Sequence, residues 1–160
     1  MLCGVVVWIC GGLLSSCQAM LATMEESQHA AERQAQVDKE HAEAEVVGTI
    51  DKGKEAFVSQ RFNDAKDSFE QAVIHYRKQE GNSNNLGKAL NNLGAAYQEL
   101  DQFERALDSY EKAESCLRGC IDGSDVRVEL KVVLKNHAVL LRQLSRYSEA
   151  ASMDDQADKL

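Results

Sequence analysis

The 160-residue chain contains no proline, only ten glycines, and 6% aromatic residues. Without proline nothing forces a helix to break, and no Pro-rich linker or polyproline segment exists. No strand is expected, so no Gly-rich phosphate loop follows one. Basic residues are also short: 18 Lys and Arg stand against 26 Asp and Glu, a formal net charge of -8. A duplex nucleic acid would be repelled overall, so none is expected as a partner. What remains is 44% hydrophobic and 28% charged, rich in Ala, Leu, Glu, Gln and Lys. That composition favours helix at most positions.

Charge is absent from one stretch altogether. Residues 1–24 carry no Asp, Glu, Lys or Arg, and Val5 to Ile9 is wholly apolar. Charge returns at Glu25 and stays. The stretch has the length of a secretory signal's apolar region and is short for a membrane span. Leu14-Ser15-Ser16-Cys17 resembles the lipobox of bacterial lipoproteins: an aliphatic residue, two small ones, then cysteine. The resemblance implies that Cys17 takes a lipid and becomes the new N-terminus. It also implies a place at the periplasmic face of a bacterial membrane, with Gln18 compatible with the outer one. The chain departs from that family in lacking Lys or Arg before the apolar stretch. An uncleaved anchor or ordinary signal, and a true start lying upstream, are the other two readings. Residues 25–46 follow as an acidic Ala-, Glu- and Gln-rich helical spacer with no strong apolar stripe. A pairing helix for a homodimer is the alternative there.

Residues 47–160 repeat themselves. Leu90-Asn91-Asn92-Leu93-Gly94-Ala95-Ala96-Tyr97 fits the W-x2-L-G-x2-Y pattern with Leu90 for Trp, and Phe103, Ala106, Tyr110 and Ala113 complete the unit. Gly53, Ala56, Phe62, Ala65, Phe69 and Ala72 occupy the same slots upstream. Leu134, His137, Ala138, Leu141, Tyr147, Ala150 and Ala157 do so downstream, with Asp154 where an aromatic belongs. The chain therefore resembles the tetratricopeptide repeat family. Ala65 and Ala106 are 41 positions apart, and Ala106 and Ala150 are 44. Against about 34 residues for a plain unit, this resembles the extended, about 42-residue variant of kinesin light chains. The implied fold is all-α: a right-handed superhelical stack of helix-turn-helix units, about three, the last degenerate and capping. Helices are expected at 26–46, 47–60, 63–79, 85–100, 103–118, 125–144 and 147–159. Gly81 to Asn84 and Gly119 to Ser124 are the turns between units, with Ser124 or Asp125 as a cap.

In such stacks the first helix of each pair lines the concave face. The expected groove residues are Lys54, Lys88, Asn91, Asn92, Gln98, Lys135, Asn136 and Arg142. Asn92 and Asn136 fall in the slot where peptide-binding relatives carry an asparagine that grips ligand backbone, since a carboxamide both donates and accepts. Lys54, Lys88, Lys135 and Arg142 outnumber Asp51 and Glu99, so a locally basic groove holding an acidic peptide is expected. The chaperone carboxylate clamp is not expected, because Ile50 and Val132 stand where it needs lysines. No cofactor and no metal are expected: His29, His41, His75 and His137 are scattered, and His137 falls on a core slot. Cys116 and Cys120, one helical turn apart, read as two ordinary semi-buried thiols, with pairing in an oxidising compartment as the alternative. The expected function is a non-catalytic protein-binding scaffold, membrane-anchored through Cys17. The alternatives are a self-assembling structural repeat and a soluble cytosolic adaptor like kinesin light chains.

Overall fold

Six helices and their connecting turns make up the described residues of this computed structural model. They are α1 (Cys3–Val58), α2 (Phe62–Arg77), α3 (Ser83–Glu99), α4 (Phe103–Arg118), α5 (Ser124–Gln143) and α6 (Tyr147–Asp158). Backbone is described for residues 3–79, 83–120 and 124–160, and side chains for 20–79, 83–120 and 125–160. Met1, Leu2, the turn residues Gly81 and Asn82, residues 121–123 of the second inter-unit loop, and the side chains of Cys17 and Ser124 lie outside them.

The chain divides into two units, Met1–Ala44 and Glu45–Leu160. In the first, the α1 residues from Met20 to His41 are all exposed. Gln34 and Gln36 donate to Asp38 and Glu40 one turn on, both across 2.8 Å. This is a helix supported by its own i,i+4 contacts. Among the described residues no helix is long and apolar enough to cross a membrane.

The second unit holds three helix pairs: the end of α1 with α2, α3 with α4, and α5 with α6. The expected break between 46 and 47 is corrected, since α1 runs on unbroken to Val58. Nothing near Val46 stops a helix: there is no proline, and Gly48 is tolerated in an exposed position. The expected start at residue 26 is corrected too, since α1 already runs from Cys3. The remaining boundaries fall within two residues of expectation.

The turn inside each pair is the same turn three times. Gln60, Asp101 and Ser145 have φ of 60°, 56° and 60°. After each, an amide reaches back five residues: Arg61 to Ala56 (2.8 Å), Gln102 to Tyr97 (2.9 Å) and Arg146 to Leu141 (2.8 Å). This left-handed closure satisfies carbonyls that the helix end leaves open. It places Ala65, Ala106 and Ala150 at the start of the second helices, all buried, where the two helices of a pair meet.

Large side chains fill what the small ones leave. Phe69 and Tyr110 are fully buried in equivalent slots, each worth on the order of 2 kcal/mol by its burial. Gly94 is what lets Tyr110 in: a Cβ there would lie 2.8 Å from the ring. Gly53 stands in the same relation to Phe69, at 2.7 Å. Neighbouring pairs then stack, with α2 on α3, α4 on α5, and α3 on α5. The third pair follows the rule although its sequence is degenerate. Ala138, Leu141, Ala150 and Ala157 are buried, and Asp154 replaces the aromatic.

Candidate functional site

The first helices α1, α3 and α5 of the second unit share one face, and two adjoining recesses open on it. One, of about 270 Å³, is lined by Val47, Ile50, Asp51, Lys54, Lys88, Asn92 and Glu129, with Asn85, Asn91 and Tyr76 below. The other, of about 170 Å³, is lined by Phe57, Val58, Phe69 and Ala95. Lys54 and Asn92 border both. Asn92 is half-buried, and its carboxamide has no hydrogen-bond partner among the described residues. It stands free between a polar recess and an apolar one.

Of the expected groove residues, Lys54, Lys88, Asn91 and Asn92 come together here. Asn91 lies beneath the surface, only 8% exposed, and its Oδ1 accepts from Asn136 Nδ2 across 2.9 Å. These two asparagines join α3 to α5. Gln98 is also engaged: its Nε2 donates to Gln143 Oε1 (2.6 Å), and its Oε1 accepts from Tyr110 Oη (3.1 Å).

Lys135 and Arg142 turn toward the second helix of their own pair. Lys135 meets Asp154 at 3.2 Å and Asp158 at 2.9 Å, and Arg142 pairs with Asp154. Donating to Asp158, and then to Asp154, raises the Lys135 pKa, and the hydrogen bond from Lys135 lowers that of Asp158. The other two cations are paired as well, Lys54 with Asp51 at 3.4 Å and Lys88 with Glu129 at 3.3 Å. The excess of cations counted along the inner helices is therefore balanced in place. The large recess carries two lysines and two carboxylates. Glu129 escaped the count because it sits one turn before the α5 residues aligned with Lys88.

The outer face has two further recesses at equivalent places in the repeat. One lies between α2 and α4, where Tyr97 Oη donates to Glu70 across 2.5 Å and Arg105 lies 5.7 Å over the Tyr97 ring. Burial and that hydrogen bond push the Tyr97 pKa up to about 12. The other lies between α4 and α6 with His137 at its floor. His137 is 4% exposed and stacks on Tyr110, with ring centroids 6.0 Å apart. Its core position follows from its slot, which holds Leu93 in the middle pair. Cys116 and Cys120 are free thiols, and burial raises the Cys116 pKa. Among the described residues no three His, Cys, Asp or Glu side chains converge as metal ligands would.

Comparison with known proteins agrees with this architecture. The tetratricopeptide repeat family profile matches residues 56–119, from the end of α1 to the end of α4. Among solved structures the chain is similar to BtubC (BKLC) from P. vanneervenii, with a TM-score of 0.65 at 16% sequence identity. The similarity covers 71% of this chain and 45% of that one, so the chain spans less than half the length of the structure it resembles. At that identity the likeness concerns the fold. No curated protein matches the chain.

Proposed function

We propose that Glu45–Leu160 is a non-catalytic scaffold that holds a peptide segment of another protein across α1, α3 and α5. Tetratricopeptide repeats generally mediate protein–protein interaction, and the repeat stack is the platform for it here. The observation that carries the reading is the free carboxamide of Asn92 between two recesses. A carboxamide there can donate to a peptide carbonyl and accept from a peptide amide at once. The apolar recess of Phe57, Val58, Phe69 and Ala95 is sized for one aliphatic or aromatic side chain beside it. The ligand proposed is thus a peptide with an exposed apolar side chain flanked by accessible backbone. Lys54 and Lys88 lie within reach of its polar groups.

The polar ends of Lys135, Arg142 and Gln98 are spent on intramolecular contacts. The gripping surface proposed is therefore the part made by the first two pairs. The test is a titration with peptides selected from a random dodecapeptide library. Asn92→Ala should weaken a selected peptide by roughly tenfold, the loss of hydrogen bonds worth about 1–2 kcal/mol. Equal affinity for the wild type and this variant would sink the proposal.

The anchor belongs to the same proposal. Acylation at Cys17 would hold this surface at a membrane. Intact mass of the membrane-extracted protein tests it: loss of the first 16 residues with added diacylglyceryl mass is the expected result, and an unmodified Cys17 overturns it.

A further inference from the structure

We infer that Glu129 is a resident carboxylate that occupies Lys88 in place of a ligand's carboxylate, and so sets the charge selectivity of the groove. The inference rests on the groove reading above and names what that groove prefers. Lys88 Nζ lies 3.3 Å from Glu129 Oε1, and both line the 270 Å³ recess. The two come from different helix pairs, so the contact links the neighbouring inner helices α3 and α5. Lys54 and Asp51 differ in kind, being neighbours three apart on one helix.

The repeat register sharpens the point. Glu129 is 44 positions after Asn85, the same offset that relates Ala150 to Ala106. Asn85 lines the same recess. The middle pair thus has a neutral amide where the third pair has a carboxylate. With Glu129 ionised, two lysines face two carboxylates and the recess has no net charge. An acidic peptide must detach Glu129 from Lys88 and then sit against the displaced carboxylate. A peptide without acidic residues meets neither obstacle. Both partners are more than 30% exposed, so the pair opens without disturbing the core.

The occupant is therefore a peptide that is apolar at one position and not acidic beside it. Glu129→Gln keeps the shape, releases Lys88 and leaves the recess with one net positive charge. The test pans one random dodecapeptide phage library in parallel on the full-length wild type, Glu129→Gln and Asn92→Ala. Peptides selected on Glu129→Gln should carry about twice the Asp and Glu content of those selected on the wild type. A synthetic acidic peptide from that pool should bind the wild type about fivefold more weakly, the upper range for one exposed pair. Equal acidic content, with affinities within twofold, overturns the role of Glu129 and leaves the groove standing. Selected peptides that bind Asn92→Ala as well as the wild type, or no selected peptides at all, overturn both together.

Discussion

Asn136 donates through Nδ2 to Asn91 Oδ1 across 2.9 Å, and this bond joins α5 of the third pair to α3 of the second. Asn91 is buried while Asn136 is partly so, which makes the contact a clasp between repeats more than a surface feature. Asn91→Ala leaves the Asn136 amide without its acceptor and should cost about 1–2 kcal/mol. Asn91→Asp keeps an acceptor in place and should cost less. Urea unfolding monitored by circular dichroism checks the order of the two, with the slope unchanged if the change is one of stability alone. Equal losses would mean that the acceptor contributes nothing, because aspartate also keeps the volume that alanine gives up.

Two glycines on helices make opposite predictions. A Cβ on Gly94 would meet Tyr110 Cε1 at 2.8 Å, and Tyr110 is fully buried with nowhere to retreat. Gly94→Ala should destabilise the fold by about 1–3 kcal/mol, the cost of overpacking. At Gly48 a Cβ would meet nothing within 4 Å. Gly48→Ala should stabilise by roughly 0.5–1 kcal/mol, the helix preference for alanine. Thermal melts of the pair separate close packing from mere helix propensity.

These positions also show what could be read before the structure. The Leu93-Gly94 and Tyr97 spacing, with Ala106 and Tyr110, carries small-against-large packing on its face. Helix boundaries from 58 onward followed from it to within two residues, while the start placed at 26 and the break placed at 46 did not. Other features were hidden for physical reasons. The left-handed turns at Gln60, Asp101 and Ser145 lack the glycine or asparagine that usually marks them. The pairing of groove cations depends on which helices lie side by side. Lys88 and Glu129 are 41 positions apart, and Lys135 and Asp154 are 19 apart. No local pattern joins such residues, so a count along single helices registers an excess of charge that packing removes.

Asp154 holds the slot that Phe69 and Tyr110 fill in the other pairs, and it meets Lys135 and Arg142 instead of a neighbouring ring. Asp154→Asn should cost less than about 1 kcal/mol, because all three side chains are partly exposed to water. Asp154→Tyr should act differently. It restores the aromatic, leaves both cations without that carboxylate, and presents apolar surface of the kind that His137 covers on Tyr110. Light scattering should then show an average mass that rises with concentration more steeply than in the wild type. Identical curves would show that charge at this position has no part in limiting association.

His137 gives the fold a specific sensitivity to acid. Its ring is buried against Tyr110, and its Nδ1 has no hydrogen-bond partner among the described residues. Burial lowers its pKa from 6.5, although Glu111 and Glu114 of α4 and Glu149 of α6 favour the cation and Arg146 opposes it. The folded protein therefore keeps the ring neutral at a pH where the unfolded chain has begun to protonate it. Stability from this residue is intact above about 6.5 and falls with pH below it, until the folded form also takes up the proton. Glu149 and Asp158, whose pKa values are lowered by Arg146 and Lys135, lose their own contribution only in the more acidic carboxylate range. His137→Leu reproduces the residue of the matching slot, Leu93, and removes the imidazole. Unfolding midpoints between pH 7.5 and about 5 should decline for the wild type and stay nearly level for His137→Leu. A parallel decline in both proteins would assign the acid sensitivity to surface carboxylates and not to the buried ring.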